Sequence, residues 1–275
     1  MLVTDAVYGP RGASCNNHLT RLGVEVTYYD PLLGAAIERE MRPNTRIVFT
    51  ESPGSLTFCV QDIPAIAAVA HRRGALVITD NSWATPFGFR SFDHGVDVSV
   101  HAATKYIGGH SDVLLGLILG NEATFPGAAS DVDGRGRHLV ARRLLSSGCA
   151  GCARFRFVSR GMSRALSPMA RWLQQQPEVR EVIYPALPGS RGHELWKRDF
   201  IGASGLFAFV LQPVAKARVD ALLDGMRLFG MGWSWGGFES LLIPIYPERV
   251  QTATKWDAGG PVPAHRRSAS RIRTT

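Results

Sequence analysis

The sequence predicts an α/β protein, a largely parallel sheet covered on both faces by helices, followed by a smaller C-terminal α+β domain. Three observations support this. Short β-rich apolar runs recur through the first 120 residues. Stretches with helical spacing lie between them. After a break in the pattern, a good strand and an amphipathic helix follow. Near-continuous apolar strands alternating with helices belong to parallel sheets buried on both sides.

The predicted strands are Val24–Tyr29, Arg46–Thr50, Ala75–Thr79 and Val96–Val100, with Leu114–Leu119 as a further apolar run. Ile63–Arg73 has Ile63, Ile66, Ala67 and Ala70 on one face, the spacing of a helix packed on a sheet. Asp62 can cap its start, Pro64 suits its first turn, and Gly74 is placed to end it. Functional groups in such sheets gather at the carboxyl ends of strands. Three polar clusters fall there: Glu51-Ser52-Pro53-Gly54, Asp80-Asn81-Ser82-Trp83 and His101 to Tyr106. From Pro126 to about Ala170 the chain is rich in Arg, Ser, Gly and Ala and shows no helical stripe. Order resumes near Arg171, with strands over Pro177–Ile183 and Gly205–Leu211 and an amphipathic helix over Ala215–Met226. The predicted division is a large domain over 1–170, a small domain over 171–257, and a polar tail over 258–275 without stable structure.

Composition narrows the function classes. The chain has 275 residues, 45% hydrophobic and 20% charged, and a formal charge of +8. Eight arginines against two aspartates in 126–170 and four arginines in 258–275 account for the excess, leaving the remainder at −2. Basic character confined to two patches is expected of solvated segments, not of a nucleic-acid-binding face. No apolar run approaches the roughly 18 residues that span a bilayer, and no basic-then-apolar leader opens the chain. Four scattered cysteines fit a reducing, cytoplasmic setting. Cys149-Ala150-Gly151-Cys152 has metal-like spacing but no second pair, so no metal is expected. His101 and His110 read as structural hydrogen-bonders.

Lys105 lies just past an apolar strand, between Thr104 and a glycine pair. Burial there would lower its pKa and favour the free amine, which can form an imine with an aldehyde cofactor. Asp80 ends a separate strand 25 residues earlier. A carboxylate there can cap a helix, or can pair with the nitrogen of a pyridoxal ring, whose protonated form is the better electron sink. Asp80-Asn81-Ser82-Trp83-Ala84-Thr85-Pro86 and Ala103-Thr104-Lys105-Tyr106-Ile107-Gly108-Gly109-His110-Ser111-Asp112 closely resemble two signatures of the Cys/Met-metabolism family of pyridoxal-phosphate enzymes. The similarity runs from Met1 to Ala123 and from Arg171 to about Trp256.

The resemblance implies a fold-type-I large domain, pyridoxal 5'-phosphate as cofactor, an amino-acid substrate and a homo-oligomer. It implies that Lys105 holds the cofactor and shuttles protons, that Asp80 pairs with the ring nitrogen, that Tyr8 stacks on the ring, and that Thr104 bonds the phosphate. Lys105, Tyr8 and Ser234 form the implied catalytic set, and Ser234 and Trp235 the substrate-binding pair. Trp235, in Ser234-Trp235-Gly236-Gly237, is similar to members that act on cystathionine by β-elimination. Leucine there is more usual in γ-acting relatives, and Trp233 stands where the β-eliminating members usually have tyrosine. The residue set leaves γ-elimination open, and a non-catalytic assembly partner also remains.

Against the family pattern, a phosphate-binding turn and an arm reaching the neighbouring subunit are expected before Met1. No tail arginine matches the residue that clamps the substrate carboxylate. Residues 126–170 have about the family length but not its residues, as after a reading-frame slip that later corrects, and the tail reads as a second slip. Weakened cofactor binding and low turnover are expected to follow.

Overall fold

The computed structural model describes residues 1–124 and 166–256 and the backbone of 269–273. The atypical stretch as far as residue 165, with Cys149 and Cys152, and tail residues 257–268 lie outside the described residues.

The first sheet has six strands: β1 (Leu2–Thr4), β2 (Thr27–Tyr29), β3 (Ile47–Glu51), β4 (Leu76–Asp80), β5 (Val98–His101) and β6 (Leu117–Gly120), in the order β2-β1-β3-β4-β5-β6. All neighbours are parallel except β6, which runs antiparallel along the edge. Each predicted strand is present; β3 and β4 keep the predicted length one residue further on, and the others are shortened. Thr27 already faces Leu2, and the Val24 N–H turns instead to the Leu19 carbonyl. The last predicted run starts late because both backbone groups of Leu115 are used by Thr104. Three-residue β1 is too short to show periodicity and was not predicted from it.

Short helices connect the strands: α1 (Gly9–Ser14), α2 (Ile63–Arg72) and α3 (Thr85–Gly88). In α2 the Asp62 carboxylate accepts from the Ala65 N–H at 3.2 Å, Gly74 takes a φ of +71°, and Ile63, Ile66, Ala67 and Ala70 are all buried. Both ends and the packed face agree with the sequence reading.

The second sheet is antiparallel: β7 (Val179–Ile183), β8 (Leu206–Leu211), β9 (Leu241–Ile245) and β10 (Ala269–Arg273), in the order β7-β8-β10-β9. Helices α4 (His193–Asp199) and α5 (Lys216–Asp224) accompany it. Here the tail expectation is corrected. Residues 269–273 are a strand between β8 and β9, with Arg271 opposite Ala208 and Ile243. Polar composition argued against structure, but two waiting strand edges supply the backbone hydrogen bonds that such a segment lacks alone.

The sheets share one apolar core in which Trp83, Phe89, Tyr184, Phe200 and Phe207 belong to a single cluster. The Trp83 indole N–H donates to the Leu206 carbonyl at 2.9 Å, and Phe89 stacks on Phe200 with centroids 4.6 Å apart. At the end of β1, buried Asp5 accepts from the N–H groups of Thr252, Ala253 and Thr254 and from the Thr252 and Thr254 hydroxyls. These contacts fix the second sheet against the carboxyl ends of the first. Among the described residues no helix is long and apolar enough to cross a membrane.

Candidate active site

Parallel pairing sets the site. Glu51 lies opposite Asp80, and Asp80 opposite Val100, so β3, β4 and β5 deliver their polar carboxyl ends side by side. Glu51 Oε2 accepts from the Tyr8 N–H at 2.8 Å, which anchors the start of α1. Asp80 is 7% exposed. Its Oδ1 accepts from the Ser82 N–H and its Oδ2 from Arg11 Nη2, both at 2.9 Å.

After β5 the chain turns tightly to present Lys105. The Lys105 N–H bonds the Ala102 carbonyl, the Gly109 N–H bonds the Lys105 carbonyl, and Gly109 takes a φ of +77°, which glycine adopts without steric cost. Lys105 Nζ donates to Ser234 Oγ at 2.6 Å and stands 5.2 Å from the Trp235 ring centroid. Trp235 packs in turn on buried Tyr106. The loop carrying Ser234 approaches so closely that a Cβ on Gly236 would sit 2.8 Å from the Lys105 carbonyl carbon, and one on Gly237 would overlap the Ser111 hydroxyl. Ser111 donates to Glu239 at 3.0 Å, closing the far side.

Tyr8, Asp80, Lys105 and Trp235 therefore line one cleft, together with Glu51 and Ser82, and Ser234 reaches it through Lys105. Thr104 is the exception among the expected residues. Its hydroxyl donates to the Leu115 carbonyl at 3.2 Å and accepts from the Leu115 N–H at 2.8 Å. Lys105 is half-buried, not buried as its sequence position implied. Trp233 is 74% exposed in the single chain. Arg11 and Ser82 were not foreseen as partners of Asp80. An arginine after Tyr8-Gly9-Pro10 carries no sequence sign of reaching a strand end about 70 positions on.

His101, the last residue of β5, is buried. Burial pushes its imidazole down from the ordinary 6.5, against the pull of Asp80. Nε2 pairs with Ser99 Oγ at 3.0 Å, while Nδ1 is buried without a hydrogen-bond partner among the described residues. Burial raises the Cys15 thiol and takes Cys59 up to about 11, so neither is a thiolate nucleophile at neutral pH. A larger cavity lined by Leu173, Phe209, Val219 and Phe229 is apolar and holds none of the residues above.

A sequence profile of the family described as Cys/Met metabolism PLP-dependent enzyme matches residues 1–255. A Rhizobium johnstonii protein provisionally named a cystathionine β-lyase is 47% identical, over 95% of this chain and 66% of its own length. Cystathionine β-lyase MetC of Escherichia coli strain K12 is 40% identical, over 91% of this chain and 64% of its own length. The chain thus spans about two thirds of the length of these curated relatives. The crystal structure of metB from Corynebacterium glutamicum superposes with a TM-score of 0.86 at 24% identity, covering 99% of this chain and 69% of that one. At that identity the likeness establishes the fold.

Proposed function

Because this chain belongs to the Cys/Met metabolism family of PLP-dependent enzymes, we propose that it is a carbon–sulfur lyase. It splits cystathionine by β-elimination into homocysteine, pyruvate and ammonia. The observation that carries this reading is the Lys105 amine, bonded to Ser234 and set against Trp235, in one cleft with Asp80.

The side chains of the cleft fit pyridoxal phosphate. An amine faces the place of an aldehyde, aromatic side chains at Tyr8 and Trp235 offer surfaces to a flat ring, and the nearly buried Asp80 carboxylate, which holds Arg11 in this structure, can take a protonated ring nitrogen as its cationic partner. A buried charge of this kind is retained only when paired. Pyridoxal phosphate, when bound, supplies a carbonyl that captures the substrate amine and a protonated ring that draws electrons from Cα.

The protein supplies the rest. Asp80 holds the proton at the ring nitrogen. Lys105 Nζ takes the proton from Cα and returns one to the departing sulfur as the Cβ–S bond breaks. Ser234 Oγ fixes the direction of Nζ and orients the substrate carboxylate, and the Trp235 ring walls off one side. Tyr8, tied to Glu51 through its backbone, stacks on the ring. Thr104 serves the phosphate by turning its hydroxyl hydrogen away from the Leu115 carbonyl.

Two domains are assigned, 1–170 for the cofactor and 171–257 with β10 as the smaller one. Leu228, Met231, Trp233 and Phe238, on the segment that reaches Lys105, are all exposed. A second copy would cover such a patch, so a homo-oligomer is expected, to be read by light scattering. The free thiols Cys15 and Cys59 accord with a reducing cytoplasm.

Product analysis tests the reaction. Protein incubated with pyridoxal phosphate and cystathionine should release pyruvate and homocysteine in equal amounts. Release of 2-oxobutyrate would mean γ-elimination instead, and no product at all would overturn the lyase reading.

A further inference from the structure

Asp80 already has a cationic partner. Arg11 Nη2 donates to its Oδ2 at 2.9 Å, and the guanidinium lies 4.8 Å from the centroid of the Phe49 ring. Arg11 Nε is buried with no hydrogen-bond partner among the described residues. The side chain is one-third exposed, at 33%, so its head is held between Asp80 and Phe49 and is not free in solvent. Its placement follows from Tyr8, whose carbonyl accepts from the Arg11 N–H at 2.8 Å. One tight turn thus fixes both the stacking residue and the arginine. The other oxygen of Asp80 is committed to the Ser82 N–H.

From this geometry we infer that Arg11 competes with the cofactor ring nitrogen for Asp80 and lowers the affinity of this chain for pyridoxal phosphate. The inference rests on reading the cleft as the cofactor site. Two arrangements are open to the bound state, and each has a cost. If Arg11 stays, a guanidinium and a protonated ring nitrogen share one carboxylate oxygen at short range, where like charges repel. If Arg11 swings out, its charge-assisted hydrogen bond and its contact with Phe49 are lost. A neutral side chain of similar length removes both costs while still covering Phe49.

The test is a titration of the full chain with pyridoxal phosphate, followed by tryptophan fluorescence, for the parent protein, Arg11→Met and Arg11→Lys. It is repeated with the analogue that carries carbon in place of the ring nitrogen. Arg11→Met should bind pyridoxal phosphate about tenfold more tightly, Arg11→Lys should stay near the parent, and the carbon analogue should gain nothing from the substitution. Unchanged or weaker binding by Arg11→Met overturns the inference and leaves the site reading intact. An equal gain with the carbon analogue also overturns it, because the effect would then bypass the ring nitrogen. Failure of every protein to bind overturns the site reading and the inference together. Melting curves without cofactor check folding, and Arg11→Gln gives the same readout should the Met variant not fold.

Discussion

Lys105 Nζ donates to Ser234 Oγ at 2.6 Å across 129 positions of chain, and this bond joins the turn after β5 to the loop before β9. A hydrogen bond to a charged group contributes about 1.5–3 kcal/mol. Ser234→Ala should therefore lower kcat about 10- to 100-fold, with KM rising as well if Ser234 also holds the substrate carboxylate. Steady-state kinetics on cystathionine read both values, and an unchanged kcat would contradict the assigned role.

Gly236 has a φ of +79°, and a Cβ there would meet the Lys105 carbonyl carbon and the Tyr106 nitrogen at 2.8 Å. Backbone atoms cannot swing aside as a side chain can. Gly236→Ala should cost about 1–3 kcal/mol and displace Ser234 from Lys105. Gly230→Ala is the control, since its Cβ would make only an ordinary 3.5 Å contact with Leu241. Urea unfolding of the two variants should separate them clearly.

Asp5 accepts five groups from Thr252, Ala253 and Thr254, at 2.7–2.9 Å for the shortest contact of each group. Asp5→Ala should destabilise the protein by about 3 kcal/mol, because the freed N–H groups lose their acceptor in a part-buried setting. Asp5→Asn should fall between, as its amide keeps one oxygen but turns an NH2 toward donors. The shift in urea midpoint measures both.

Acid should weaken the fold through His101. Its folded-state affinity for a proton is below the ordinary 6.5, so the unfolded chain binds the proton first. Stability is then full above 6.5 and declines as pH falls below it. A variant with His101→Gln should lose that part of the acid dependence in urea unfolding measured at several pH values. An identical pH profile would show that other groups carry it.

Much of this was legible in the chain. The apolar runs gave the strand order along the sequence, and Asp62 with Gly74 gave both ends of α2, because caps and periodicity are local effects. Lys105 and Asp80 stood at predicted strand ends for the same reason, whereas Tyr8 followed only from the family resemblance. Pairing across long separations left no local trace, which is why the Arg11 contact to Asp80 and the engagement of Thr104 with Leu115 went unseen. The β10 strand was missed because Ala269-Ser270-Arg271-Ile272-Arg273 is polar by composition, and only the edges of β8 and β9 make it a strand. The half-exposure of Lys105 depends on how loosely the Trp235 loop covers it, which no single segment encodes.

Borohydride reduction of the protein incubated with pyridoxal phosphate, followed by peptide mapping, tests the central claim. The account predicts a phosphopyridoxyl label on Lys105, strongly reduced in Gly236→Ala and absent in Lys105→Ala. A label on another lysine, or none, would contradict it.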